Sequence, residues 1–156
     1  MLLERQPARH IMKRTLNIYG IALIIFFLSC TASAQRLQSE FEVQVLASGL
    51  RFPWGMTFLP DGNMLVTERV GQLRTITPDG RISEPIQGVP AVFVQQQGGL
   101  LDVALDPNFA SNRLVYLSYA EPDGNKAGTA VARARLNDGH LEKLQVIFRQ
   151  LPKTEG

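Results

Sequence analysis

The chain has 156 residues, of which 45% are hydrophobic and 19% charged, with a formal net charge of +2 and a single cysteine. Four of the sixteen basic residues and one of the fourteen acidic ones precede Gln35, so the remainder carries a balance of minus one. That leaves no electrostatic footprint for nucleic acid or for an anionic membrane surface. Cys30 has no second cysteine to pair with, so packing must hold the fold together.

At the N-terminus, Lys13 and Arg14 precede an uncharged run of 13 residues, Leu16–Leu28. A membrane-spanning helix needs about 20. Small residues follow, with Ala32 and Ala34 at minus three and minus one from Gln35, the pattern of a secretory signal. Residues 1–34 are therefore expected to be a signal peptide cleaved after Ala34. The destination is the periplasm or the exterior, with no stable membrane insertion afterwards. Met12-Lys13-Arg14 also opens a signal in the usual way, so Met12 is an alternative start. Lipid modification at Cys30 is less favoured, because Phe27 stands where a leucine is usual.

Residues 35–156 are expected to form one all-β unit. Phe41, Val43 and Val45 alternate with polar residues, the period of a half-buried strand. Strands are predicted at 55–59, 64–68, 73–77 and 82–86, with turns at Pro60-Asp61-Gly62 and Pro78-Asp79-Gly80. Proline pre-sets the first torsion of such a turn and glycine accepts positive φ. A second set follows at 100–105, 114–119, 129–136 and 144–148, with a turn at Asp106-Pro107-Asn108-Phe109 and a polar loop over 121–128. Pro60 and Pro107 lie 47 residues apart, the period of one propeller blade. Two four-stranded blades of a β-propeller are the expected architecture. A propeller closes with four to eight blades, so the sequence reads as the N-terminal part of a larger one.

Gln95-Gln96-Gln97-Gly98-Gly99 precedes the first strand of the second set, where a propeller loop faces the channel mouth. Neutral amides followed by two glycines suit close approach of a flat ligand, although a plain flexible loop has the same composition. Trp54 is expected in the core or on the channel wall. His140 sits in a hairpin turn, Asn137-Asp138-Gly139-His140, and is the only histidine after residue 34, so no histidine-based metal site or Ser/His pair can be assembled. Asp123-Gly124-Asn125 lacks the further oxygen ligands of a calcium loop. Arg133 and Arg135 alternate with alanines, as on a solvated strand face.

Pro53-Trp54-Gly55-Met56, Phe58-Leu59-Pro60-Asp61-Gly62, Leu65-Val66-Thr67-Glu68-Arg69 and Gly71-Gln72-Leu73-Arg74 resemble the first blade of the glucose/sorbosone dehydrogenase family. The run from Gln97 through Gly98-Gly99-Leu100-Leu101-Asp102 to Phe109 is similar to that family's second-blade signature. Within the family, the resemblance is strongest to bacterial soluble aldose sugar dehydrogenases. It implies a six-bladed propeller binding pyrroloquinoline quinone and calcium, which oxidises an aldose sugar at C1 and passes electrons to an external acceptor. It assigns a cofactor-side role to Gln97, with Gln95 and Gln96 as register alternatives. It places the catalytic histidine just after Gly156, and most quinone contacts and the calcium ligands later still. No catalytic or metal residue is therefore expected within the chain, and the chain alone is expected to be inactive. The alternative is a non-catalytic extracellular binding or scaffold propeller.

Overall fold

A computed structural model describes residues 41–155. The expected leader, with Cys30 and the cleavage point after Ala34, lies outside these residues. The folded unit runs from Gln44 onward. It is all-β apart from one short helix, and no helix among the described residues is long and apolar enough to cross a membrane.

Strands β1 (Pro53–Phe58), β2 (Met64–Glu68) and β3 (Gln72–Ile76) form an antiparallel meander, β1-β2-β3. A second meander comprises β4 (Leu100–Leu105), β5 (Leu114–Asp123), β6 (Lys126–Asn137) and β7 (His140–Arg149). Helix α1 (Phe109–Asn112) lies between β4 and β5. The two-residue β8 (Thr154–Glu155) joins β6 beyond the end of β7. Both predicted Pro-Asp-Gly turns form. Gly62 and Gly80 each adopt φ of 85°, and their amides donate to Leu59 O at 3.0 Å and Thr77 O at 2.8 Å.

Alternation along each strand builds the core. Leu65 and Leu73 of the first sheet face the second, meeting Val103, Val115, Leu117, Tyr119 and the alanines at 130, 132 and 134. Met64, Val66 and Ile76 point the other way, into a smaller cluster. The sheets stand side by side, with β1 and β2 packed on β4. Gly55 makes that approach feasible, because a Cβ there would lie 2.9 Å from Asp102 Cα. Beside it, the Thr67 hydroxyl accepts from Gly55 N at 2.8 Å and bonds to Leu101 O across the sheet boundary. Successive meanders joined through their first strands are neighbouring blades of a β-propeller.

Three expectations need correction. Residues 41–50 form no strand; Ala47 and Leu50 instead pack on Met64, Val66 and Ile76 as a cover. The predicted strand at 82–86 is reduced to a bridge between Ile82 and Ile76. Ser83 N still reaches Thr75 O, and Ile86 N reaches Leu73 O. Pro85 between them has no N–H to donate, and the ladder breaks there. The supposed loop 121–128 is a tight hairpin, paired through Asp123 and Lys126. Trp54, expected in the core or on the channel wall, is half exposed. It lines an open apolar hollow of about 400 Å³ with Leu50, Met56 and Val66.

Candidate functional site

The 95–99 loop enters the second sheet at the inner end of β4. Gly98 N donates to Gln95 O at 2.7 Å, closing a turn in which Gln96 adopts φ of 48°. Two ladder-like bonds fix the loop's ends, Phe93 N to Ala120 O and Ala120 N to Gly99 O. Glycine is required twice. A Cβ at Gly98 would lie 2.7 Å from Phe93 O, and one at Gly99 would collide with Arg69 O.

Between this loop and the second sheet lies a cleft of about 260 Å³. Gln95, Gln96, Gln97 and Gly98 form one wall; Thr129, Gln150 and Thr154 form the other. The second wall exists because β8 returns to β6, pairing Thr154 with Ala127 after β7 has left the ladder at the Arg149–Ala130 pair. An ionic clamp sits behind it. Lys153 Nζ lies 2.9 Å from one Glu121 oxygen and donates to Pro122 O at 3.2 Å, while Arg149 Nε lies 3.0 Å from the same carboxylate. Hydrogen bonding from Lys153 is the main cause holding the Glu121 carboxyl below its ordinary value, and Arg149 adds to it.

The three glutamines named from sequence thus share one wall, and all three side chains are exposed toward solvent. Thr129, Gln150 and Thr154 were not legible as site residues, since nothing in their spacing relates them to residue 97. Arg69 was also missed. It lies under the loop, its guanidinium bonded to Gln96 O and at 3.3 Å to Gly98 O. His140 belongs elsewhere. It occupies the hairpin at the other end of β6, eight or more residues from Thr129, about 25 Å at the usual strand rise. Its Nδ1 is 3.0 Å from Asp138 O. Arg133 and Arg135 are exposed on the outer face, as expected.

The cleft suits the neutral part of a flat ligand. It offers amide and hydroxyl donors and acceptors beside backbone bare of side chains, and no Arg or Lys lines it among the described residues. No group of three or more His, Cys, Asp or Glu able to hold a metal occurs among the described residues. The larger apolar hollow beside Trp54 lacks converging polar groups and is a packing face.

The sequence profile described as glucose/sorbosone dehydrogenase matches residues 50–156, which contain both sheets and the cleft. The chain belongs to the glucose/sorbosone dehydrogenase family. Among relatives of this family, the aldose sugar dehydrogenase YliI of Escherichia coli K12 is 44% identical over 131 residues, covering 81% of this chain and 35% of YliI. The crystal structure of the apo soluble aldose sugar dehydrogenase of E. coli superposes with a TM-score of 0.69 at 46% identity, over 72% of this chain and 33% of that one. The PQQ-bound aldose sugar dehydrogenase of Streptomyces coelicolor gives a TM-score of 0.63 at 28% identity, over 70% and 34%. The chain spans about a third of the length of these relatives. Their fold is a β-propeller, and the two sheets are part of such a propeller.

Proposed function

We propose that this chain supplies the first two blades of an exported aldose dehydrogenase that uses pyrroloquinoline quinone, with calcium, and delivers electrons to an external acceptor. The observation carrying this reading is the Gln95–Gly99 loop, whose ends are bonded to Ala120, beside a cleft whose opposite wall is Thr129, Gln150 and Thr154.

The quinone, when bound, supplies the electron sink for the hydride leaving the sugar carbon. The chain's own residues bind and orient. The Gln97 amide both donates and accepts, and it does not titrate, so it can direct a sugar hydroxyl without taking its proton. Gly98 lines the cleft with backbone that carries no side chain, while Gly99 is buried against Arg69 and lets the loop seat there. Proton removal needs a base near neutral pKa. His140 stands at the wrong end of the sheet to serve. Family resemblance puts that base just beyond Gly156, and β8 brings the backbone to the cleft wall at Thr154, two residues before Gly156. Cleavage after Ala34 would deliver the protein to the periplasm or beyond.

The full-length gene product, purified without cofactor, should reduce a redox dye with aldoses only after quinone and calcium are added. Gln97→Ala should then lower kcat/KM about tenfold or more, within the range set by loss of a substrate-orienting hydrogen bond. Absence of both quinone binding and dye reduction would overturn the dehydrogenase reading and favour a non-catalytic binding propeller.

A further inference from the structure

We infer that Arg69 is the positioning residue of the site, setting how Gln97 is presented to the cleft; its catalytic consequence rests on the function proposed above. Arg69 follows β2 and never faces the cleft, yet it touches the loop on both sides of Gln97. Its Nη1 donates to Gln96 O and, at 3.3 Å, to Gly98 O. Those oxygens belong to the peptide preceding Gln97 and the peptide following Gly98. Turning both toward one cation fixes the rotation of the backbone that carries the Gln97 side chain.

The main chain of Arg69 completes the hold. Its carbonyl accepts from Leu100 N at 3.1 Å, and its amide donates to Phe52 O at 2.9 Å. The guanidinium carbon lies 5.1 Å from the centroid of the Phe52 ring, which steers the planar group beneath the loop. Gly99 has no Cβ, and a Cβ would occupy the path to the Arg69 carbonyl. Gln96 is held at a left-handed φ of 48°, a conformation that a side-chain-bearing residue keeps only when its surroundings impose it. The bond from Arg69 to its carbonyl is such a constraint. A lysine would bring a point charge on a flexible stem, without the planar group that stacks on Phe52.

The test uses full-length protein carrying Arg69→Gln or Arg69→Lys. Amide hydrogen exchange across 94–99 should rise at least tenfold in R69Q, while the strands at 114–137 keep their protection. R69K should fall between R69Q and wild type. In steady state with quinone bound, R69Q should raise the aldose KM and lower kcat, with R69K partly restored. Unchanged loop exchange in R69Q overturns the inference. If R69Q does not fold, R69K decides, and wild-type exchange in R69K overturns the inference. Faster loop exchange in a protein whose wild type neither binds quinone nor oxidises aldoses supports the clamp and rejects the dehydrogenase reading. Quinone-dependent activity with an unmoved loop does the reverse.

Discussion

The two sheets solve the same problem with different means. The second holds itself mainly by its backbone ladder. Strands β5 and β6 pair without interruption from Leu114–Arg135 to Asp123–Lys126, and every second residue of β6 from Ala130 to Leu136 is buried on one face. The first has strands of only five or six residues, too short for the ladder to dominate. Side chains tie it together instead. Glu68 is fully buried, accepts from Arg51 N and lies 2.9 Å from Arg74 Nε. Arg74 also donates to Ser83 O and Gln72 Oε1, so one guanidinium fastens β2, β3 and the degenerate fourth segment. Thr67 spans the boundary to β4. The cleft lies on the self-sufficient sheet, whose Ala120 fixes the ends of its loop, while Arg69, which bonds the loop's middle, comes from the dependent one.

Substitutions can break that contrast, beginning with the largest expected loss. Leu65 is fully buried where the sheets meet. Leu65→Ala should cost about 3–4 kcal/mol in chemical denaturation, the sum of lost transfer energy and a cavity. Arg74→Met should cost about 3 kcal/mol by leaving the Glu68 carboxylate buried without its countercharge. If the first sheet depends on side chains as described, R74M should exceed Arg133→Gln on the second sheet, where the replaced residue is exposed and bonds only Gln145 Oε1. Gly55→Ala should cost about 1–3 kcal/mol, because its new methyl meets Asp102 where the strands approach most closely.

The smallest effect concerns pH. The Glu121 carboxyl is held below 4.5, chiefly by hydrogen bonding from Lys153. A carboxyl lowered on folding contributes stability that is present above its unfolded value and drains away as pH falls below about 4.5 through the folded one. Glu121→Gln should therefore be less stable than wild type at neutral pH. The difference in melting temperature should close as both proteins are taken to acid. A difference that persists unchanged in acid would mean the clamp acts through packing instead.

Much of the fold was legible because local chemistry and burial agree. Strands β2 and β4 fall on their predicted residues, and the Pro-Asp-Gly turns form through the expected glycine torsions. The failures occur where these signals separate. Val43 and Val45 alternate like a strand, yet nothing in the pattern says whether a pairing partner exists. Glu121, Asp123 and Lys126 read as loop because their hairpin carries polar residues, although its backbone is fully paired. The start of β7 was hidden for a related reason. Lys143 takes φ of 52° at a register shift between the Arg133–Gln145 and Arg135–Glu142 pairs, so the alternation stumbles there. Gln97 could be singled out as a candidate because two glycines follow it, and glycines mark where a backbone must be bare. Arg69 could not, since the end of an apolar strand gives no hint of which carbonyls an arginine will reach.

The return of β8 to β6 also sets when the cleft can come into being. Its walls are contributed by residues near 97 and near 154, with three long strands between them. As the ribosome delivers the chain, the glutamine loop emerges early but faces empty solvent until β5, β6 and β7 have zipped together. Closing so long an interval is among the slower steps open to a chain. A ligand is thus offered a finished recess only late in folding.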